Sequence, residues 1–190
     1  MTKKALVLLA EGFEEVEAVS PIDYLRRAGI EVKAAAVGET LMVTGARQIA
    51  IRADTTLGEL KAADQSWQDW DAVIVPGGMG GAANLAASGE TGALLSAMAR
   101  GGKLVAAICA SPALVLAPLG LLAGKRFTCY PGMEKDLGQG QWSGDPVVID
   151  GNLITSRGAG TAGLFAIAII GKLLGEAEGE KVARSVLLKA

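Results

Sequence analysis

The sequence predicts an α/β sandwich built around a mainly parallel central sheet. Short β-rich apolar runs alternate along the chain with segments of helical periodicity. The runs are apolar at successive positions rather than at every second one, as strands covered on both faces are. Composition agrees: 190 residues, 51% hydrophobic and only 4% aromatic with 26 glycines, describe a core of small side chains. That length supports one domain over residues 1–190.

Taken in order, KALVLLA (residues 4–10) reads as a buried first strand. Residues 14–28 place Val16, Val19, Ile22 and Leu25 at helical spacing and stop at Gly29, a good C-terminal signal. IEVKAAAVG (30–38) is the next strand, and MVTGARQIAIRA (42–53) alternates as a short hairpin does, with Gly45 as its expected turn. DAVIVPGG (71–78) is a buried strand ending in a proline and two glycines that force a tight turn. KLVAAIC (103–109) follows, with a helix from about Ser111. RFTCYP (126–131) and the pair within PVVIDGNLITS (146–156), turning at Asp150-Gly151, add strands near an edge of the sheet. TAGLFAIAIIGKLLG (161–175) and GEKVARSVLL (179–188) are helices, the first with Thr161 as its N-cap.

Charge and cysteine usage narrow the function classes. A net charge of −2 gives no electrostatic reason to expect nucleic acid or an anionic membrane as partner. The basic start is followed by only six apolar residues before Glu11, which reads as a strand and not a targeting segment. The most apolar stretch is interrupted at Lys172, short of a membrane span, so a cytoplasmic location is the default expectation. Cys109 and Cys129 fit neither a CxxC pair nor a disulfide framework. With no histidine in the chain and its two thiols far apart in sequence, a structural zinc site is not expected.

In open α/β sheets, ligands bind beyond the carboxyl ends of the strands where strand order reverses. The chemistry-bearing residues stand at such ends: Glu11 to Glu17 after the first strand, Gly77 and Gly78 after AVIVP, and Cys109 after KLVAAI. A thiol on a strand-to-helix turn follows the logic of a nucleophile elbow, although AICAS lacks the flanking glycines of G-x-S-x-G. A helix N-terminus lowers the pKa of a well-placed cysteine. An adjacent glutamate helps only if burial keeps it protonated, so that it donates to the thiolate. Glu17 is that candidate, while Glu11, Glu14 and Glu15 read as solvated. The backbone amides of Gly78 and Ala110 are then placed as an oxyanion hole. On the residues alone two readings of Cys109 stay open, a tuned nucleophile or a small buried hydrophobe, whereas Cys129 reads as core.

LVLLAEGFEEVEAVSPIDYLRRAGIEV, VIVPGGMGGAANL, AAICASPALVL, TCYPGMEKDL and LITSRGAGTA, in this order, resemble the ThiJ/PfpI superfamily, in the branch of the human parkinsonism-associated protein deglycase and bacterial ThiJ-like proteins. The resemblance spans essentially the whole chain. It implies a flavodoxin-like three-layer sandwich, a homodimer, a reactive cysteine at Cys109 and its partner glutamate at Glu17. It puts the oxyanion-side amides at Gly78 and Ala110, with Gly77 and Tyr130 beside the substrate. Arg27 and Arg47 match arginines at the family's dimer interface near the reactive site, and Ser156, Arg157 and Gly158 match another stretch near that pocket. Tyr130 stands where many relatives have a histidine, Ser111 replaces a glycine and Ala159 a proline.

The function implied is a cysteine-dependent glyoxalase or protein deglycase acting on methylglyoxal-like dicarbonyls or their early adducts on proteins. Two other readings compete: a redox-sensing or protective thiol, whose oxidation through sulfenate to sulfinate adds two oxygens, roughly 32 Da, and a chaperone-like role. A cysteine peptidase is disfavoured because no Cys-His dyad is available.

Overall fold

The computed structural model describes residues 2–63, 66–135, 137 and 140–188; the remaining positions of the expected 1–190 domain lie outside the described residues. Its first half contains β1 (Lys4–Leu9), α1 (Glu15–Arg27), β2 (Glu31–Ala36), β3 (Met42–Thr44), β4 (Ala50–Arg52), β5 (Thr55–Thr56) and α2 (Leu57–Ala62). Next come β6 (Ala72–Val75), α3 (Met79–Ala87), α4 (Gly89–Arg100) and β7 (Leu104–Ile108). The chain then forms β8 (Arg126–Phe127), β9 (Gln141–Trp142), β10 (Val147–Asp150), β11 (Leu153–Ser156), α5 (Ala162–Leu174) and α6 (Glu176–Ser185).

Seven strands form one sheet in the order β10-β11-β7-β6-β1-β2-β5, parallel throughout except for the antiparallel β10–β11 pair at one edge. The pleat divides the apolar runs between two cores. Val7, Leu9, Ile74 and Ile108 face α1 and α5, where Leu25, Phe165 and Ile169 meet them. Leu6, Leu8, Val73 and Val75 face the other way, onto Leu94, Leu95 and Met98 of α4. Covering on both faces explains the uniformly apolar strands and gives the three-layer, flavodoxin-like sandwich. From β1 the chain builds outward through β2 to β5, returns to β6 on the other side of β1, and proceeds to β7 and β11. Strand order therefore reverses at β1 and β6, which opens a crevice at their carboxyl ends.

Four local expectations are corrected. In α1 the valine stripe does not face the sheet: Val16 is 49% and Val19 46% exposed, while Ala18, Pro21 and Leu25 are buried. Ala18, Pro21 and Leu25, at i, i+3 and i+7, form the face turned to the strands and leave the valines as a second apolar face. Gly45 is not the left-handed residue of the hairpin turn; Gln48 is, at φ 65°. The helix after Cys109 is a single wide-turn (π) segment, Pro112–Leu116, closed by Ala117 N–H donating to the Pro112 carbonyl at 3.0 Å. RFTCYP is a strand only at Arg126–Phe127, paired with β9 outside the main sheet. Beyond it the chain crosses the ends of β11 and β7, with Thr128 N–H on Thr155 Oγ1 at 2.9 Å and Tyr130 N–H on the Cys109 carbonyl at 2.8 Å.

Candidate active site

Three loops meet at the crevice. Cys109 closes β7 with φ at +65°, a left-handed conformation that a side chain rarely adopts and that turns the thiol out of the strand direction. It is held by its own N–H on the Ser156 carbonyl at 2.9 Å and by Tyr130 from the other side. Ser111, fully buried, donates its hydroxyl to the Pro76 carbonyl at 2.6 Å, tying the elbow to the turn after β6. Ser111 thus acts as a clamp beneath the site.

Gly77 and Gly78 are glycines for two different reasons. A methyl group on Gly77 would stand 2.6 Å from both Cys109 Cβ and Glu17 Oε2, so its absence lets thiol and carboxyl approach each other. Gly78 has φ +84°, and a methyl there would meet backbone of Gly12 and Glu14. The Gly77 N–H donates to Glu17 Oε2 at 2.9 Å, and its carbonyl accepts the Glu14 N–H at 3.0 Å, locking the start of α1 onto this turn. Glu17 is fully buried, and its Oε1 has no hydrogen-bond partner among the described residues. A methyl on Gly158 would lie 3.9 Å from Glu17 Oε1 and 3.9 Å from Cys109 Sγ, so both atoms border the same space. The ring of Tyr130, half exposed, closes one side of it at 3.6 Å from the same point.

Burial pushes the Glu17 carboxyl up to about 7, against hydrogen bonds to Cys109 and Gly77 that pull it down, with the charge of Glu14 adding a further upward push. The Cys109 thiol is pushed up to about 12, first by burial and then by the charge and hydrogen bond of Glu17, with the amides of Gly78 and Ala110 pulling it down. The lowered thiol pKa expected from a helix start is therefore not what the site gives: burial and the neighbouring Glu17 outweigh the amides. The amides of Gly78 and Ala110 favour charge on sulfur, and the Gly77 amide favours it on Glu17. At rest the pair holds a protonated thiol beside a carboxyl poised to take or release a proton near neutrality.

The other expected residues fall in different places. Glu15 is not solvated: it is 5% exposed, and its Oε1 accepts the Arg47 N–H at 2.7 Å and the Ile49 N–H at 3.4 Å. Its side chain occupies the space a methyl on Gly45 would take, which is why that position is glycine. Glu11 caps the exposed Thr44 N–H at 3.1 Å. Arg47 thus rides on a turn pinned to the start of α1. Arg27 pairs with Asp23 at 2.9 Å and lies ten residues along α1 from Glu17, roughly 15 Å away. The fold of the chain does not bring it to the sulfur. Ser156 is fully buried and its carbonyl accepts the Cys109 N–H, while Arg157 donates to the Gly144 carbonyl at 3.2 Å. Cys129 is buried among the α4-side core and Cys109 packs against the opposite one, so the sheet separates the two thiols.

No helix among the described residues is long and apolar enough to cross a membrane. The sequence pattern of the DJ-1/PfpI family matches residues 3–172. The chain is 41% identical over 187 residues to Protein DJ-1 homolog B of Arabidopsis thaliana, an alignment covering 98% of this chain and 42% of that protein. It is 36% identical over 176 residues to the glutathione-independent glyoxalase DJR-1.2 of Caenorhabditis elegans, covering 91% of this chain and 90% of that one. The crystal structure of Drosophila melanogaster DJ-1beta superposes on it with a TM-score of 0.92 at 42% identity, covering 100% of both chains. Sequence and fold show that the chain belongs to the DJ-1/PfpI family.

Proposed function

We propose that the protein is a cofactor-independent enzyme that converts methylglyoxal-like dicarbonyls, free or as early adducts on protein amino or thiol groups, into hydroxy acids. The observation that carries this reading is the buried Glu17, held near neutrality beside Cys109 with one carboxyl oxygen facing the shared space. The relative named as a glutathione-independent glyoxalase supports the same class of reaction.

The Cys109 sulfur attacks the aldehyde carbon, forming the S–C bond, while Glu17 takes the thiol proton and passes it to the aldehyde oxygen to give a hemithioacetal. Glu17, again a carboxylate, removes the proton from that carbon, and an enediolate forms. Returning that proton to the adjacent carbon, while the hydroxyl proton of the first carbon passes to the oxygen of the second, leaves a thioester of lactate. Water then cleaves the thioester, releasing lactate and restoring the thiol. One water is consumed and no electron leaves the system. The Gly78 and Ala110 amides accept the developing negative charge, on sulfur first and on the substrate oxygen afterwards. Incubated with methylglyoxal and no glutathione, the protein is expected to produce lactate in multiple turnovers. Absence of lactate under those conditions sinks the reading.

We infer likewise that two copies associate through the outer face of α1. Val16 and Val19 are exposed there, and Ile49, 57% exposed, sits on the turn that Glu15 holds to the start of α1. Single-sided apolar faces of this kind mark association surfaces. Light scattering is expected to give a dimer mass for the native protein and a monomer mass for Val19→Lys; a native monomer overturns the inference.

A further inference from the structure

Thr161 stands at the N-cap position of α5, yet its hydroxyl makes no capping bond to that helix. It turns back instead onto the loop before it. The Gly158 N–H donates to Thr161 Oγ1 at 3.2 Å, the hydroxyl donates to the Gly158 carbonyl at 2.8 Å, and Ser156 Oγ lies 2.7 Å away. Ser156 in turn donates to the Pro146 carbonyl at 2.8 Å, which also accepts the Arg157 N–H at 3.2 Å. Each hydroxyl has one proton: that of Thr161 goes to the Gly158 carbonyl and that of Ser156 is shared between the Pro146 carbonyl and Thr161 Oγ1, so that Gly158 is held at both its N–H and its C=O. The pair of hydroxyls thus fixes Gly158 from behind.

Nothing in the backbone asks for glycine at 158. Its φ of 164° is extended, open to any residue. A methyl there would meet Tyr130 Cδ2 at 3.6 Å, Cys109 Sγ at 3.9 Å and Glu17 Oε1 at 3.9 Å, all ordinary contact distances. The fold tolerates alanine, but the methyl would fill the space bordered by thiol, carboxyl and phenol ring. That is about where a substituent on the second carbon falls once the first is bonded to sulfur.

We propose that Gly158 sets the size of the group accepted beside the thiol, and that Thr161, acting with Ser156, is the positioning residue that holds this wall in place. The proposal rests on the reading of Cys109 and Glu17 as the reacting pair. It assigns the site to α-oxoaldehydes with a small substituent on the ketone carbon. Because one methyl in a close-fitting pocket separates substrates by roughly tenfold or more, Gly158→Ala is expected to lower kcat/KM for methylglyoxal at least about tenfold more than for glyoxal.

The test has two arms. In the first, glyoxal and methylglyoxal turnover are compared in native protein, Gly158→Ala, Thr161→Val and Thr161→Ser. In the second, Cys109 alkylation by iodoacetamide is compared with that by the bulkier N-ethylmaleimide in the same proteins, a readout that needs no dicarbonyl turnover. Gly158→Ala should lower the ratio of bulky to small reagent about tenfold. Thr161→Val should disturb that ratio, and Thr161→Ser, which keeps the hydroxyl, should restore it. An unchanged ratio in Gly158→Ala overturns the size gate, and equal ratios in Thr161→Val and native protein overturn the positioning role whatever happens to the melting temperature. A shifted ratio without lactate from any protein keeps the gate and removes the proposed reaction.

Discussion

Replacing Cys109 by serine is expected to reduce kcat/KM for methylglyoxal on the order of 10³-fold or more while leaving the fold intact. In the proposed reaction sulfur becomes nucleophilic as Glu17 takes the thiol proton, with the Gly78 and Ala110 amides offsetting part of the burial that holds the thiol protonated. A serine hydroxyl in the same place has no base strong enough to ionise it, since the neighbouring carboxyl releases its own proton near 7. The substitution changes one atom of a side chain whose backbone is anchored by the Ser156 carbonyl and the Tyr130 N–H, so the elbow keeps its conformation. Cys129→Ser serves as the control: that thiol lies on the other side of the sheet and should leave turnover within about twofold, as substitutions remote from a reacting group do. Lactate production by Cys109→Ser at a native rate removes the mechanism. If the native protein makes no lactate but peroxide oxidises Cys109 to a sulfinate, the redox-sensing reading takes its place.

The sandwich, the strand ends and the three converging loops were legible because each rests on a local signal: uniform apolarity in KALVLLA and DAVIVP, glycine pairs after a strand, a thiol after KLVAAI. The helix face of α1 was not. Val16 and Val19 have the spacing of a buried stripe, and only packing shows that Ala18 and Pro21 take the sheet instead. Glu15 and Glu17 differ by two positions in an acidic run, and no periodicity tells which carboxylates are buried. The companion signal was Gly45, whose missing side chain makes room for Glu15. Thr56 and Glu59 carry a capping box that the sequence displays openly, so the start of α2 was available to a closer reading. Thr161 is the reverse case, a residue type and position that fit an N-cap while its hydroxyl serves the loop before the helix.

Glu17→Gln is expected to lower turnover by about 10² to 10⁴-fold, the range of a lost general acid–base, while the thiol still adds to the aldehyde. Glutamine can accept the Gly77 N–H as the carboxyl does, but it cannot carry a proton between the two carbons. Hemithioacetal should therefore accumulate as a reversible adduct on Cys109, visible as added mass on its peptide. Undiminished turnover in this variant overturns the proton-shuttle role. The same variant reports the burial of the carboxyl through stability. Glu17 holds its proton to about 7 in the folded protein and to 4.5 without burial, so between those values the folded state binds the extra proton. Its contribution is fully present below 4.5 and is lost as pH rises through about 7. A shift of that size corresponds to on the order of 3 kcal/mol. Glutamine does not titrate, so the melting temperature of Glu17→Gln should gain on that of the native protein by roughly 5–10 °C between pH 4.5 and pH 8. A gap that stays constant across that range would mean that Glu17 ionises in the fold as it does in water, and a carboxylate that weak as a base would not hold the thiol proton near neutrality.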